Sequence, residues 1–552
     1  MTHARPLISV SFLAKISLVL FLCGSLNGCV AFFYPKKQKM TFNTGNKDAT
    51  VYIDKEEAGK GRVVTEKVVK GGALQIVVKA PGYKDSYTAI VQTHRAPGFW
   101  ICILFDLFPG CGYPLYIDPW LPKGLSYDKE INLKSEDKLV NRNPGDKYID
   151  ISNIRLDLKD KKNIKSYSVA YSSTTLLKDI DVAEKKKDFK DNKADAKQAK
   201  KKKGKKSLVD EADVNDLTYD DTKFSANVYK TLKATGFVDT VNRVFADNNN
   251  TLVLEGSIRK VYIYTIIGKK MRGSYFKSKI FLRWYIKNTY NEIIDSLDTK
   301  EYSGDFVIHG GDKDDHLWEK MYGDAVDISY LRLHKDGKLA KYLKTESNFA
   351  CTDPMLSLNA VRAPVKERGD ASIPSVIVKT KDGHGSGFAI TEDGYIITNY
   401  HVVAGKVSGK LNSIKVITSS GEELAGTVVR YNKYRDLALI KVDKKFEKAF
   451  KVSNVKSFKN LMDVYTIGAP KSVELGQSFS AGVLSNERKA NNNNLLQLGM
   501  SVNGGNSGGP LFDTNGNLHG VIVSKLIGAN TEGVSFAIPG YLIGEYLNIQ
   551  YQ

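Results

Sequence analysis

The alternation of apolar and polar residues predicts β-strands over much of the chain. Residues 49–54 and 71–79 alternate with a period of two, and a Pro-Gly pair follows the second stretch, so this region is predicted to form a hairpin. Further along, the apolar residues of 224–232 have helical spacing, whereas 251–256 and 277–286 are typical of strands. The pattern therefore predicts a multidomain, mainly β protein with an α+β domain in its middle.

The first 28 residues have the pattern of a cleaved signal peptide. Arg5 and Lys15 precede an apolar segment, 16–22, that is too short to span a bilayer as a permanent helix. The sequence LNGC, which ends at Cys29, follows it and resembles a bacterial lipobox. This resemblance implies cleavage before Cys29 and lipidation of that cysteine, which would anchor the chain in a bacterial envelope membrane. We expect the outer membrane, on its periplasmic side; a plain secretory signal with an incidental cysteine is the alternative.

Two further regions precede the C-terminal third of the chain. Residues 40–135 resemble the PEGA-type β-domain of exported bacterial proteins in the segments VYIDKEEAGKG and APGYKD, and such domains usually serve interaction or spacing. An aromatic insert, 98–122, interrupts this region and is expected to be a buried hairpin rather than a membrane-dipping loop. Residues 147–344 are predicted to form the α+β domain, which has no catalytic cluster. Its scattered histidines are expected at the surface: His309, His316 and His334.

Charge is distributed unevenly along the chain. The net charge is +20 at pH 7, and residues 184–206 carry twelve lysines against four acidic residues. Such a segment cannot bury enough apolar surface to fold, so we interpret it as a disordered linker or loop insertion. Contact with anionic lipid headgroups or lipopolysaccharide is the alternative. The sequence has no recognised nucleic-acid-binding motif, so nucleic acid is not an expected partner.

Three residues in the C-terminal third carry the candidate chemistry. Ser507 lies in the glycine-rich segment GGNSGGP, His401 follows a strand-like apolar run, and Asp436 directly precedes another. A serine hydroxyl becomes nucleophilic when a base accepts its proton, and histidine can do so at neutral pH. A carboxylate can fix the histidine tautomer and stabilise the imidazolium. The glycines allow the backbone amides of Gly505 and Ser507 to converge on an oxyanion. These residues predict a catalytic triad and its oxyanion hole.

The order of the three residues separates two enzyme classes. The pattern Gly505-x-Ser507-x-Gly509 also matches the nucleophile elbow of α/β-hydrolases, in which the acid and then the histidine follow the serine. Here the only histidine after Ser507 is His519, which is too close to leave room for an intervening acidic strand and helix. The order His, Asp, Ser is instead that of the chymotrypsin clan.

Residues 371–550 resemble the HtrA/Deg bacterial proteases of that clan. Four segments carry the resemblance in the expected order: GSGF at 385–388, TNYHVV at 398–403, DLAL at 436–439 and GNSGGP at 505–510. The resemblance implies two six-stranded β-barrels side by side, with His401 and Asp436 in the first and Ser507 in the second. It implies hydrolysis through an acyl-enzyme without a metal or an organic cofactor. Asn506 stands where many secreted relatives have aspartate, which argues against activation by N-terminal cleavage.

The S1 pocket is predicted from the segment before the nucleophile and the strand after it, with Ser501, Val502 and Val523 as its lining. Neither segment contains an acidic residue, so a basic P1 side chain would lack a counter-charge. Met500, Val502 and Ile522 are expected to make the pocket shallow and apolar, which favours Val, Ala, Ile or Leu at P1. His384, between two glycines, is expected to serve a turn.

These features predict a lipid-anchored serine endopeptidase that faces the periplasm. Its expected substrates are unfolded envelope proteins, and its N-terminal lipid is expected to bind the membrane. The alternative, from another class of protein, is an envelope binding or scaffold lipoprotein with an inert protease fold.

Overall fold

A computed structural model describes most of the chain between residues 37 and 552. The described ranges are 37–68, 72–92, 94–95, 125–133, 137–158, 164–171, 221–240, 249–268, 274–307, 317–345, 349–469, 472–490, 493–523 and 535–552. The predicted signal peptide, Cys29, the aromatic insert and the lysine-rich segment 184–206 lie outside these ranges, as do His309 and His316. Among the described residues, no helix has the length and apolar character needed to cross a membrane.

The N-terminal region forms two small sheets around one apolar core. The strands are β1 (Lys37–Asn43), β2 (Thr50–Ile53), β3 (Glu56–Lys60), β4 (Arg62–Val68), β5 (Ala73–Lys79), β6 (Ser86–Val91), β7 (His94–Arg95), β8 (Leu125–Ser126) and β9 (Glu130–Asn132). One sheet has the order β4-β1-β9 and the other β3-β2-β5-β6, and β7 pairs with β8. Alternate residues of β1 and β2 point into the core, among them Phe42 and Val51. The predicted strands at 49–54 and 71–79 and the β5–β6 hairpin are confirmed; the PEGA assignment stays a prediction.

The middle region is a six-stranded sheet with two long helices. Its elements are β10 (Tyr148–Leu156), β11 (Ile164–Tyr171), α1 (Asp221–Ala234), β12 (Thr251–Gly268), β13 (Ser274–Lys287), β14 (Ile293–Tyr302), β15 (Phe306–Val307), α2 (Leu317–Lys335) and α3 (Ala340–Leu343). The sheet order is β10-β12-β13-β14, with β11 also paired to β12 and β15 to β13. The helices pack on the sheet, where the buried Trp284 indole donates a 2.8 Å hydrogen bond to Ser329 Oγ. The predicted helix and strands of this region are confirmed.

One prediction for this region is wrong. His334 was expected at the surface, but it lies in the last turn of α2 and is half-buried. Its ring packs against Phe237 and Tyr330, and its Nε2 is 2.7 Å from the Tyr330 hydroxyl. Burial lowers the pKa of His334 to about 4. Helix α2, which was not predicted, brings His334 next to Tyr330 on its own last turns and against Phe237, which follows α1.

The C-terminal region contains two closed six-stranded barrels. After β16 (Leu356–Leu358), the first barrel comprises β17 (Ser375–Thr380), β18 (Gly383–Ala389), β19 (Tyr395–Thr398), β20 (Ile414–Ile417), β21 (Glu423–Asn432) and β22 (Leu437–Val442), with α4 (Tyr400–Val403) between β19 and β20. The second comprises β23 (Asp463–Gly468), β24 (Ser478–Ala490), β25 (Asn493–Gly499), β26 (Pro510–Phe512), β27 (Leu518–Val523) and β28 (Ser535–Pro539), followed by α5 (Ile543–Leu547) and β29 (Ile549–Tyr551). The barrel orders are β17-β18-β19-β22-β21-β20 and β23-β24-β25-β28-β27-β26. The predicted double barrel is confirmed.

The first two regions are joined by side-chain to backbone hydrogen bonds. Gln75 in β5 donates from Nε2 to the Asp305 carbonyl at 2.9 Å and accepts at Oε1 from the Val307 amide at 2.8 Å. The Lys84 ammonium is paired with the buried Asp324 carboxylate of α2. These contacts hold the N-terminal sheets against the middle region, which in turn contacts the first barrel.

Candidate active site

His401 and Asp436 are brought together at one end of the first barrel. His401 lies in α4, directly after β19, and Asp436 lies one residue before the neighbouring strand β22. The carboxylate accepts two hydrogen bonds from the histidine: Oδ1 from the backbone amide at 3.0 Å and Oδ2 from ring Nδ1 at 2.8 Å. A carboxylate only accepts, so Nδ1 carries the proton and the Nε2 lone pair is available as a base. Asp436 is only 7% exposed, which shields this contact from water.

Residues adjacent to the histidine fix the backbone around the pair. Asn399 Nδ2 donates to the Asp436 carbonyl at 2.9 Å, and Thr398 Oγ1 donates to the Ser386 carbonyl at 2.7 Å. Asp436 has a left-handed backbone, with φ of 53°, which aspartate tolerates better than most residues. Thr398 and Asn399 therefore tie the segment before His401 to the backbone of Ser386 and of Asp436.

Ser507 approaches from the second barrel, on the loop between β25 and β26. The loop is tied to the first barrel through Ser386: its amide donates to the Ser507 carbonyl at 2.7 Å, and its hydroxyl donates to the Gly505 carbonyl at 2.8 Å. The Gly508 amide donates to the Ile522 carbonyl of β27 at 2.9 Å. The nucleophile loop is therefore held on both sides, by one strand of each barrel.

A cavity of about 340 Å³ lies where the two barrels meet. It is lined by side chains or backbone of both barrels, including His401, Gly505 and Ser507. His401 and Ser507 thus line the same cleft, and Asp436 contacts His401 directly. Among the described residues, no group of three or more histidine, cysteine, aspartate or glutamate side chains could hold a metal ion.

His384 also lines this cavity, and the turn role expected for it is wrong. It lies in β18, opposite Lys379 of β17, and its Nε2 is 2.9 Å from the Ala469 carbonyl. Because a carbonyl only accepts, Nε2 donates this bond. The ring also lies beside Gly505, where an added Cβ would be 2.8 Å from Nε2. Flanking glycines suggested a turn, but His384 pairs within a strand and its ring lies at the cleft.

The three predicted S1 residues differ in their exposure to solvent. Ser501 is exposed, Val502 is half-buried and Val523 is buried. Met500 and Ile522, expected to add bulk to the pocket, are 5% and 0% exposed and pack in the core of the second barrel. Their side chains fill that core, so of the three residues expected to make the pocket shallow and apolar only Val502 is left to line it. The segment 524–534, which follows Val523, is outside the described residues.

His519 has a different role from His401. It is buried in β27, and its Nε2 is 3.2 Å from Asp513 Oδ2, a carboxylate that also binds Asn517. Hydrogen bonds from Asn517 and His519 lower the pKa of Asp513 against the opposing effect of burial. This histidine stabilises a turn of the second barrel, as expected if the α/β-hydrolase order does not apply.

Comparisons with known proteins agree with this geometry. Residues 385–521 match the family described as "Trypsin-like peptidase domain". The chain is 28% identical over 177 residues to the serine protease Do-like HtrA of Lactococcus lactis subsp. lactis, and the aligned segment covers 28% of this chain and 41% of that protein. It is 35% identical over 161 residues to a probable periplasmic serine endoprotease DegP-like of Rhizobium meliloti, covering 28% and 31%, and 34% identical over 187 residues to a DegP-like protein of Pseudomonas putida, covering 33% and 36%.

The chain spans less than half the length of these curated relatives. A crystal structure of the serine endoprotease from Yersinia pestis overlaps 32% of this chain and 61% of its own at 30% identity, with a TM-score of 0.27, which is too low to support an argument about fold. The sequence matches stand without it. The C-terminal part of this chain contains a trypsin-like peptidase domain similar in sequence to the HtrA and DegP serine proteases.

Proposed function

We propose that this chain is a serine endopeptidase that hydrolyses peptide bonds of protein substrates through His401, Asp436 and Ser507. The observation that carries the proposal is the paired contact of Asp436 with His401, at 3.0 and 2.8 Å, beside a cavity that Ser507 also lines. A carboxylate that orients a histidine toward a serine is the arrangement required for acyl transfer.

In the first half of the reaction, Ser507 Oγ attacks the carbonyl carbon of the scissile bond. His401 Nε2 accepts the hydroxyl proton, and the carbonyl π electrons move to the oxygen. The amides of Gly505 and Ser507 donate hydrogen bonds to that oxyanion. When the tetrahedral species collapses, the C–N bond breaks, and His401 gives its proton to the departing amine. An ester between Ser507 and the acyl part of the substrate remains.

In the second half, water replaces the amine. His401 accepts a proton from the water as it attacks the ester carbonyl, and then returns a proton to Ser507 Oγ as the C–O bond breaks. Asp436 accepts the Nδ1–H bond throughout, which stabilises each imidazolium without taking the proton. No metal or organic cofactor is needed in either half.

The envelope is the proposed site of action. The lipobox ending at Cys29 and the periplasmic relatives support a lipid-anchored protein that faces the periplasm, with the outer membrane as its membrane. Unfolded envelope proteins are the proposed substrates. Cleavage after small to medium aliphatic residues is proposed because Val502 and Val523 are apolar, and neither they nor Ser501 offers a charge to a basic P1 side chain.

A fluorophosphonate probe and a matched variant test this function. The probe labels a serine only when a base and an oxyanion hole are assembled around it, so the wild-type chain is expected to be labelled and Ser507→Ala is not. Casein cleavage is expected to follow the same pattern, with the thermal unfolding midpoint nearly unchanged in the variant. A folded wild-type chain that takes up no probe and cleaves no casein would instead indicate an inert fold with a binding or scaffold role.

A further inference from the structure

The middle region reaches the active site through one tight turn. Residues 288–292 connect β13 to β14 and are organised by Asn288, whose Oδ1 accepts the amides of Tyr290 at 3.0 Å and Glu292 at 2.9 Å. Asn291 has a left-handed backbone, with φ of 71°, which asparagine tolerates. The turn is therefore well specified by its own hydrogen bonds before it meets the barrel.

The backbone after the turn pairs with the first barrel. The Ile293 amide donates to the Lys406 carbonyl at 2.8 Å, and the Ser408 amide donates to the Ile293 carbonyl at 3.0 Å. These two bonds form a short parallel bridge between Ile293 and Val407, just after α4. The pairing fixes the distance of the turn from the helix that carries His401.

Glu292 adds a buried polar contact to this docking. Its side chain is 2% exposed, and Oε1 accepts a 3.1 Å hydrogen bond from the hydroxyl of Tyr400, the residue before His401. Oε2 accepts from Asn288 Nδ2. Burial is the main cause that raises the pKa of Glu292, and the nearby Asp436 charge adds to it. A buried carboxylate of the middle region thus lies close to the triad carboxylate.

Tyr290 makes the contact that reaches the reacting group. Its ring stacks on the imidazole of His401, with 5.8 Å between centroids and 23° between planes, and it meets Tyr400 edge-on at 5.9 Å. A cation over an aromatic face is stabilised at separations up to about 6 Å. The His401 ring becomes a cation during each proton transfer of the proposed reaction, so the Tyr290 ring stabilises it at those steps.

We propose that Tyr290 is a positioning residue for His401 and that the middle region thereby completes the peptidase site. This inference rests on the proposed function for its catalytic consequence. The stacked ring restricts rotation of the imidazole, keeping Nδ1 at Asp436 and Nε2 toward the cavity. Glu292 and the Ile293 bridge hold Tyr290 in place. In this arrangement, His401 has its full set of contacts only when the middle region is docked on the first barrel.

Kinetics of three full-length variants test the catalytic consequence. Tyr290→Ala is expected to lower kcat by about tenfold with KM within about twofold, because the lost contact acts on His401 and not on the substrate. Tyr290→Phe keeps the aromatic face and is expected to stay within about twofold of wild type. Ile294→Ala is the matched control, since Ile294 lies in the same hairpin but is 40% exposed, and it is expected to be neutral. Wild-type kcat in Tyr290→Ala, or an equal loss in Tyr290→Phe, overturns the inference.

A spectroscopic readout separates this inference from the proposed function. The full chain, labelled with ¹³C at histidine Cε1 and carrying Ser507→Ala, gives a His401 signal that is identified by its absence in His401→Gln. The stacked tyrosine ring shields that signal, so adding Tyr290→Ala is expected to shift it downfield, whereas Tyr290→Phe is expected to leave it in place. An unshifted signal after adding Tyr290→Ala overturns the stacking even if the wild-type chain, with Ser507 intact, cleaves casein. A shift in a chain whose wild type cleaves nothing contradicts the proposed function alone.

Discussion

Substitution of Gly505 by alanine is expected to disable the oxyanion hole. Gly505 has φ of 100°, and a Cβ added there would lie 2.2 Å from the Ala469 carbonyl oxygen, where ordinary contact begins at 3.4 Å. The loop would therefore have to move by about 1 Å, the difference between these two distances. An oxyanion donor works within about 2.7–3.1 Å, so a shift of this size removes the Gly505 amide from the site. Loss of one such donor typically costs about 10²–10³ in kcat, or about 2.7–4 kcal/mol.

Gly504→Ala is the matched control for this prediction. A Cβ added at Gly504 meets no atom within 4 Å, although Gly504 adjoins Gly505 and lines the same cavity. The assay is initial-rate cleavage of casein or a quenched fluorescent peptide with an aliphatic P1 residue. Circular dichroism and thermal unfolding establish that both variants are folded. We expect Gly504→Ala to remain within about threefold of wild type, on the order of 0.6 kcal/mol.

Two outcomes would refute this reasoning. If folded Gly505→Ala retains kcat within about tenfold of wild type, the amide of Gly505 does not stabilise the transition state to the usual extent. If Gly504→Ala loses as much activity as Gly505→Ala, general sensitivity of the loop explains both losses, and the close approach to Ala469 does not.

Three other predictions concern the triad, the anchor and the middle region. Asp436→Asn is expected to lower kcat by about 10⁴, because an amide can donate to Nδ1 and select the wrong tautomer; a loss below tenfold in the same peptide assay would contradict this. Cys29→Ala is expected to yield a protein that is soluble or keeps its signal, so palmitate incorporation at the wild-type level would disprove the lipobox. Because burial lowers the pKa of His334 to about 4, the unfolded chain binds more protons between about pH 6.5 and 4, and stability falls as pH falls through that window. His334→Gln is expected to flatten the dependence of the unfolding midpoint on pH, and an unchanged slope would count against it.

The candidate site residues could be named from the sequence because each lies in a short segment with a distinctive pattern. His401 follows one apolar strand and Asp436 precedes another, and the glycines around Ser507 indicate a loop with backbone angles that other residues rarely adopt. Each of these signals needs only a few neighbouring residues. The two barrels, by contrast, were inferred from resemblance, since strand periodicity alone does not determine which strands close a barrel.

Contacts between distant segments account for what the sequence argument missed. The glycines on either side of His384 predicted a turn. The Ala469 carbonyl that accepts its hydrogen bond belongs to the second barrel, far away in sequence, so the sequence around His384 does not reveal this contact. Met500 and Ile522 were predicted to line a pocket, but they lie in the barrel core. The direction of a side chain depends on strand register, which the linear sequence pattern did not determine here. Tyr290 lies more than a hundred residues from His401, in a polar turn whose sequence gives no sign of its neighbour.

The GSGF sequence at 385–388 accompanies the triad because its serine and first glycine form the contact between the two barrels. The Ser386 amide donates to the Ser507 carbonyl, and the Ser386 hydroxyl donates to the Gly505 carbonyl. The hydroxyl oxygen of Ser386 also accepts a hydrogen bond from the Ala469 amide at 3.2 Å. A Cβ at Gly385 would lie 2.5 Å from Val402 and 3.0 Å from the Ser507 carbonyl, so only glycine allows this approach. His401 and Ser507 belong to different barrels, and their separation depends on how those barrels meet. One serine with a glycine before it fixes that junction on the nucleophile side, while Tyr290 contacts the histidine from outside both barrels. The geometry of the site thus depends on contacts between the two barrels and the sheet of the middle region, and a change at either junction is expected to act on the chemistry without altering a triad residue.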